Sequence, residues 1–180
     1  MHKKIPSIFT FISEFNKEQI LKYNKNIGII FRNYNKKNKK DKILEIKKFC
    51  RKNKRQFYLA NNLKLAINLN LDGAYIPSFN KTFDILKYKK RKAFLLLGSA
   101  HNIYEIKTKE KQGVEILFLS PIFKTKNYKQ ALRIIKFNFL AKMTKKKIIA
   151  LGGINKKNIN NLKNTNAYGF SGISYFLNEK

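Results

Sequence analysis

The amino-acid sequence predicts a (β/α)8 barrel, and three observations lead to this fold class. Eight short apolar segments recur along the 180 residues, and helical segments separate nearly all of them. Strands that alternate with helices pair in parallel, because parallel neighbours need a crossover connection. Eight such units are the number that closes a barrel, and an open doubly wound sheet is the alternative. The apolar content of 43% supplies a core, and the length predicts a single domain over residues 1–180.

Four strands are expected in the first half of the chain, where apolar and β-branched residues form short runs. The segment 41–50 is predicted to be helical because Ile43, Ile46 and Phe49 recur at helical spacing. The predicted elements are, in order, strand 7–12, helix 18–23, strand 28–31, helix 41–50, strand 57–60, helix 63–69 and strand 73–76.

The second half supplies the other four strands. Residues 93–97 form a continuous apolar run of the kind that is buried in parallel sheets. The chain is short for a barrel, which typically takes ~250 residues, so its last unit is expected to be truncated, with little or no eighth helix. The predicted elements are, in order, strand 93–97, helix 103–111, strand 116–119, helix 130–142, strand 147–151, helix 158–163 and strand 169–173.

The charge of the chain is strongly positive, with 40 Lys and Arg against 10 Asp and Glu, or +30. Basic surfaces bind phosphate backbones, so a nucleic-acid-associated protein is one hypothesis. The basic runs at 36–40, 87–92 and 145–147 are separate, however, and a nucleic-acid-binding tail is one contiguous block. The abundant residues, Lys, Asn, Ile, Phe and Tyr, all have A/T-rich codons. Coding bias is therefore the favoured explanation, and a nucleic-acid partner is not expected.

The scarce acidic residues exclude several kinds of site. No two of the ten carboxylates are spaced as D-x-D or E-x-x-E, which argues against a glycosidase-like pair or a carboxylate-rich metal cage. Cys50, His2 and His101 are too few for a zinc site of normal ligand count. A single cysteine fits a reducing compartment, and no apolar run approaches the ~18 residues of a membrane span. A cytoplasmic protein without a membrane partner is expected.

Two predicted strands end in residues suited to an anion. Functional groups of (β/α)8 barrels lie at the carboxyl ends of the strands, and phosphate is often held by the loops after strands 7 and 8. Gly152 and Gly153 follow the seventh strand, and Ile173 and Ser174 end the eighth. Glycine lets the backbone N–H groups approach an anion closely, although an ordinary turn would also explain the pair.

Several motifs, taken in order, resemble those of the thiamine phosphate synthase/TenI family. The similarity covers about residues 7–176, and the order and spacing of the motifs make it specific although each is degenerate alone. The matching segments are DG (72–73), GSAHNIYE (98–105), SPIFKT (120–125), ALGGI (150–154) and AYGFSGIS (167–174).

The resemblance implies a barrel that couples a hydroxymethylpyrimidine diphosphate to a thiazole phosphate and releases diphosphate. The implied partners are these small phosphorylated substrates. This dissociative substitution needs a stabilised leaving group and a shielded pocket more than an acid/base pair, which suits a carboxylate-poor chain. The favoured interpretation is an enzyme, an alkyl transferase with a diphosphate leaving group. The sequence alone leaves open whether the chain is catalytic. A non-catalytic or TenI-like binder of a thiazole phosphate is the alternative, and the oligomeric state stays open.

The family motifs also assign roles to individual positions. Arg32 and Ser99 match residues that contact the diphosphate, and they are the expected catalytic residues. The expected substrate- and phosphate-binding residues are Thr125, Lys126 or Lys129 in place of the motif lysine, Gly152, Gly153, Ile173 and Ser174.

The departures from the family pattern concern the metal. The two aspartates expected to hold Mg²⁺ fall on Asn61 and Asn80, so Mg²⁺ is a possible cofactor whose expected ligands are absent. Asn carbonyls can ligate Mg²⁺ but carry no charge to hold it. The motif lysine near Arg32 is Tyr34, and Pro121 stands where TenI-type tautomerases have a histidine.

Overall fold

The structure is a computed structural model that describes residues 4–34, 39–125 and 130–177. Eight parallel strands follow one another around a closed barrel in sequence order, and β8 pairs back to β1. The predicted (β/α)8 fold class is therefore confirmed, and the open doubly wound sheet is excluded. None of the helices in the described ranges is long and apolar enough to cross a membrane.

The strands are short, and most are followed by a helix. The strands are β1 (Ile8–Ile12), β2 (Gly28–Phe31), β3 (Phe57–Ala60), β4 (Gly73–Ile76), β5 (Leu95–Ala100), β6 (Ile116–Leu119), β7 (Lys147–Leu151) and β8 (Gly169–Ser171). The α-helices are α1 (Lys17–Lys22), α2 (Lys39–Lys52), α3 (Leu63–Asn68), α4 (Ile103–Lys111), α5 (Arg133–Lys142) and α6 (Ser174–Leu177).

Aromatic side chains fill the barrel interior. The ring of Phe118 packs edge-on against Phe9 and Tyr75, with centroid distances of 5.1 and 5.4 Å, and Phe11 packs against Tyr75 at 5.1 Å. A second apolar layer, built from the outward faces of the strands and the inner faces of the helices, surrounds the barrel. Strand residues alternate between these two layers, as expected of strands buried on both faces.

Two of the crossovers are short 3-10 helices, Asp84–Lys87 between β4 and β5 and Ile159–Asn164 between β7 and β8. The α-helix expected at 158–163 is thus wrong in type. The segment is rich in asparagine, whose side chain competes with helical backbone bonds. Asn158 uses its side chain in this way, because its Nδ2 donates to the Gly153 carbonyl at 2.8 Å.

Several other boundaries differ from the sequence prediction, and α2 extends two residues beyond the predicted 41–50 at each end. Strand β5 extends to Ala100, because the small residues after Leu97 still pair with β6. Helix α5 begins at Arg133, since the backbone N–H groups of Leu132 and Arg133 donate to carbonyls of the β6 loop. Strand β8 ends at Ser171, and the four-residue α6 follows, so the expected truncation of the eighth unit is observed.

The barrel closes at a narrow seam. Strands β1 and β8 are in register at only two residue pairs, Ile8 with Phe170 and Phe9 with Ser171. Strands β1 and β2 are in register at four pairs. A side chain at Gly169 would overlap the Ser7 carbonyl, so glycine is required for this close approach.

Candidate active site

A cavity of about 410 Å³ opens at the carboxyl ends of the strands. Its lining comes from the segments that follow β2, β4, β5, β6, β7 and β8, which is where (β/α)8 barrels carry their functional groups. The residues that line it are Arg32, Tyr34, Tyr75, Pro77, Ser78, Phe79, Ser99, His101, Ser120, Pro121, Thr125, Leu151, Gly152, Gly153, Ile154, Ser171, Gly172 and Ile173. No carboxylate is among these described lining residues.

Arg32 is the cation of this cavity. It follows β2, where its backbone N–H donates to the Ile12 carbonyl at 2.9 Å. Its guanidinium carbon lies 4.7 Å from the centroid of the Phe11 ring, within the range of a cation–π contact. The aromatic interior of the barrel therefore forms a floor beneath a partly buried positive charge.

Ser99 lies in β5 and is buried. Its Oγ accepts a hydrogen bond from the backbone N–H of Ser78 at 3.0 Å, and it also bonds the Tyr75 hydroxyl. Burial raises the pKa of Tyr75 well above its ordinary value, and the bond to Ser99 lowers it by less, so this phenol is neutral and can donate.

His101 is a lining residue that the sequence analysis did not assign to the site. Its Nδ1 lies 2.8 Å from the Ser120 carbonyl oxygen, and its Nε2 lies 3.1 Å from the Ser78 Oγ. A carbonyl oxygen only accepts, so in the neutral ring Nδ1 carries the proton and Nε2 accepts from the Ser78 hydroxyl. The GSAH motif contained the signal for His101, but only the structure supplies its partners.

The loops after β7 and β8, which the sequence predicts to hold phosphate, both line this cavity. Gly152 and Gly153 have φ angles of 97° and 70°, which favour glycine, and a Cβ at Gly153 would lie 2.5 Å from the Lys124 carbonyl oxygen. Thr125 and Ile173 line the same cavity. The structure thus brings together six of the predicted residues, Arg32, Ser99, Thr125, Gly152, Gly153 and Ile173.

Three predicted residues remain, namely Ser174, Lys126 and Lys129. Ser174 begins α6, directly after Ile173. Lys126 and Lys129 lie outside the described residues. The phosphate-binding and catalytic roles of all these positions stay predictions.

The two asparagines at the expected metal positions bond to each other. The Asn80 Nδ2 donates to the Asn61 Oδ1 at 2.7 Å, so the oxygen that would face a cation already accepts a hydrogen bond. The loop that carries Asn80 is tied down from behind, because the Asn80 carbonyl accepts from the Lys109 Nζ at 2.6 Å and from the Gln112 Nε2 at 3.0 Å.

The residues at these positions do not fit an aspartate-held Mg²⁺. Asn61 lines a neighbouring cavity of about 350 Å³, and the rings of Tyr34 and Phe79 border both cavities. These two rings contact each other edge-on at 5.8 Å, and Asn61 and Arg32 line different cavities. Within residues 4–34, 39–125 and 130–177, no group of three or more His, Cys, Asp or Glu could hold a metal ion.

The closed parallel barrel with a cavity at its carboxyl end places the chain among the (β/α)8-barrel proteins. Residues 18–176 match the family model described as thiamine monophosphate synthase, and the chain belongs to this family, TMP-TENI. The resemblance that the motifs indicated is therefore confirmed.

Several known proteins are similar to this chain. A protein of Aquifex aeolicus provisionally named thiamine-phosphate synthase 2 is 30% identical over 136 residues, which cover 74% of this chain and 72% of the relative. The thiamine-phosphate synthase of Prochlorococcus marinus is 28% identical over 159 residues, 86% of this chain but 45% of that protein. Thiamine phosphate pyrophosphorylase from Pyrococcus furiosus has the same fold, with a TM-score of 0.75 at 18% identity over 93% of this chain and 85% of that one.

Proposed function

We propose that this chain is a thiamine-phosphate synthase that couples hydroxymethylpyrimidine diphosphate to a thiazole phosphate and releases diphosphate. The observation that carries the proposal is the convergence of Arg32, Ser99, Thr125 and the two glycines after β7 on one cavity. These residues match the family motifs, and the family match supports the synthase activity. The comparisons do not favour a non-catalytic binder or a nucleic-acid-associated protein.

The proposed reaction is a substitution at the methylene carbon of the pyrimidine. The bond from this carbon to the diphosphate oxygen breaks, and the leaving group keeps the electron pair. The thiazole nitrogen then donates its lone pair to the carbon and becomes the thiazolium nitrogen. No proton has to move in either step, so a cavity lining without a carboxylate suits the chemistry.

In this proposal, Arg32 and Ser99 assist the departure of diphosphate. The Arg32 guanidinium, fixed above the Phe11 ring, would neutralise charge that develops on the leaving group. Ser99 is held by Ser78, whose hydroxyl in turn donates to His101. His101 is thus a positioning residue in this proposal, and Ser99 is the residue that contacts the substrate.

Aromatic side chains would shield the developing cation. Tyr34 and Phe79 are exposed at the cavity rim, with 44% and 63% of their surfaces accessible, and they present flat apolar faces. A planar pyrimidine ring can stack on such faces, and π-systems stabilise a nearby positive charge. No step of this proposal passes through Mg²⁺, because the Asn61–Asn80 pair does not fit that ion.

A synthase assay tests the proposal. Purified protein is incubated with both substrates, with and without Mg²⁺, and thiamine phosphate is measured after oxidation to its fluorescent thiochrome derivative. Product is expected from the wild type, and Arg32→Gln should lower kcat/KM by roughly 10²–10³. Lys64→Gln, which removes an exposed charge on α3, is the matched control. If the wild type forms no thiamine phosphate both with and without Mg²⁺, the proposal is contradicted.

A further inference from the structure

A second cavity, of about 320 Å³, lies at the opposite end of the barrel from the candidate active site. It is enclosed by the end of α2 and by the segments that lead into β3, β4 and β5. We refer to it as the basic cavity, because five of its lining residues are cationic. These are Lys47, Arg51, Lys54, Arg55 and Arg91.

More than half of the arginines of the chain lie at this cavity. The sequence has only five arginines among its 40 basic residues, and three of them line the basic cavity. Coding bias explains lysines scattered over every solvated face, but it does not bring the few arginines to one place. Arginine is the residue that recognises phosphate with paired donors in a fixed geometry, so this convergence points to a ligand.

Two of the guanidinium groups are held in place before any ligand binds. Arg55 is buried, and its Nη1 and Nη2 donate to the carbonyls of Asn24 and Tyr23 at 3.0 and 2.6 Å. The Arg91 Nη2 donates to the Leu71 carbonyl at 2.8 Å. These bonds remove much of the rotamer entropy that an anion would otherwise have to overcome on binding.

The positive charge of the basic cavity is poorly balanced. Asp72 is the one carboxylate in its described lining, and one oxygen of Asp72 accepts from the Phe57 N–H. The Nε of Arg55 is buried and has no hydrogen-bond partner in the described structure. Burial also lowers the pKa of Arg55. Burial, together with the nearby Arg51, lowers the pKa of Lys47, so Lys47 and Arg51 are close enough for each charge to disfavour the other.

We propose that the basic cavity binds a small anion that carries two or more phosphate groups, at a site separate from the candidate active site. Five cations around one carboxylate match several negative charges better than one. Arg55 is buried while Arg51 and Lys54 are exposed at the same cavity, so the cations line a recess, which suits a compact ligand rather than a polymer that lies on a surface. The site does not depend on the proposed synthase activity, since none of its lining residues lines the carboxyl-end cavity.

Calorimetric titration with inorganic diphosphate tests the site. The Arg51→Gln/Lys54→Gln variant removes two exposed cations of the cavity and leaves the backbone-bonded Arg55 and Arg91 intact. The matched control, Lys48→Gln/Lys52→Gln, removes two exposed charges of α2 outside the cavity. Both pairs are exposed, so both variants are expected to keep the wild-type melting temperature in the absence of diphosphate.

The wild type and the control are expected to bind diphosphate at the basic cavity, and the cavity variant to bind there roughly tenfold more weakly or not at all. Repeating the three titrations in an Arg32→Gln background separates this site from the active-site cavity. The proposal is overturned if the cavity variant titrates like the control. It is equally overturned if both variants lose affinity to the same degree, because net charge alone would then explain binding.

Discussion

Asn61 and Asn80 differ from the two aspartates that the family motifs lead one to expect by an amide nitrogen in place of a carboxylate oxygen in each side chain. Two aspartates at these positions would repel each other unless a cation lay between them. Two asparagines instead form a donor–acceptor pair at 2.7 Å, which closes the loop contact without an ion. The contact between Asn61 and Asn80 therefore needs no bound ion to hold it.

Restoring both carboxylates should restore a metal requirement. In Asn61→Asp/Asn80→Asp, like charges replace the hydrogen bond, so the melting temperature is expected to fall by roughly 4 °C or more without Mg²⁺ and to recover when Mg²⁺ is added. Synthase turnover should then rise with Mg²⁺ more than in the wild type. The exposed pair Asn160→Asp/Asn161→Asp is the control. A melting temperature that ignores Mg²⁺ would contradict the expectation.

Single residues also mark the limit of the sequence analysis. The motifs indicated Arg32, Ser99, Thr125 and the glycine pair as candidates, because each lies at or beyond the end of an apolar run that is recognisable as a strand. They did not reveal that Asn80 bonds to Asn61, since a sequence states side-chain identity and not orientation.

At the scale of elements, helix α4 supports the active-site loop through a buried amine. Lys109 is fully buried, and its Nζ donates to the Asn80 carbonyl at 2.6 Å and to the Gln112 Oε1 at 2.8 Å. Burial lowers the pKa of Lys109 from 10.5 to about 8. Lys109 and Gln112 of this region thus fix the segment after β4 through its backbone carbonyls.

The shifted pKa of Lys109 should make the free energy of unfolding depend on pH. Between pH 8 and 10.5 the unfolded chain holds the Lys109 proton and the folded chain does not, so this residue makes the free energy of unfolding rise with pH across that window. In Lys109→Met this contribution is lost. Urea unfolding at pH 7.5, 9 and 10 measures the free energy of unfolding of the wild type and of the variant. The wild-type value minus the variant value is expected to increase as the pH rises. A difference that stays constant with pH would contradict the assignment.

The loop after β7 is held by a side chain rather than by a regular helix. Asn158 joins its Nδ2 to the Gly153 carbonyl and accepts from the Asn155 N–H at 2.9 Å. Asn158→Ala should lower the free energy of unfolding by about 1 kcal/mol and raise KM for the thiazole phosphate, because the Gly153–Ile154 peptide is no longer held in position. Asn161→Ala, an exposed change in the same 3-10 helix, is the control. Equal effects of both changes on KM would argue against the role of Asn158.

The elements themselves differed in how well the sequence predicted them. Most strands were predicted within a residue, because a run of buried apolar residues bounded by polar ones identifies a parallel strand. The 3-10 form of the helix near 158–163 and the start of α5 were not predicted, because tertiary hydrogen bonds from Asn158, Leu132 and Arg133 decide them. Local propensity contains no information on such partners.

At the scale of the whole molecule, the charge of +30 creates a positive field that attracts phosphorylated substrates. We expect kcat/KM to fall roughly tenfold between low and physiological ionic strength, since salt screens this field over a Debye length of ~8 Å. The turnover at saturating substrate should change little. An assay series in increasing NaCl measures both values, and a kcat/KM that is independent of salt would contradict the expectation.

Because β1 and β8 pair at only two positions, the local stability of the barrel is expected to be lowest at this seam. Few backbone hydrogen bonds protect β8, so its amides should exchange with deuterium earlier than those of β5 or β6. Gly172 and Ile173, at the wall of the cavity, directly follow this strand. A ligand held at that wall would slow the exchange of β8 most of all. Occupancy of the cavity would then be coupled to the closure of the barrel, and a bound ligand would contribute to the stability of the fold that binds it.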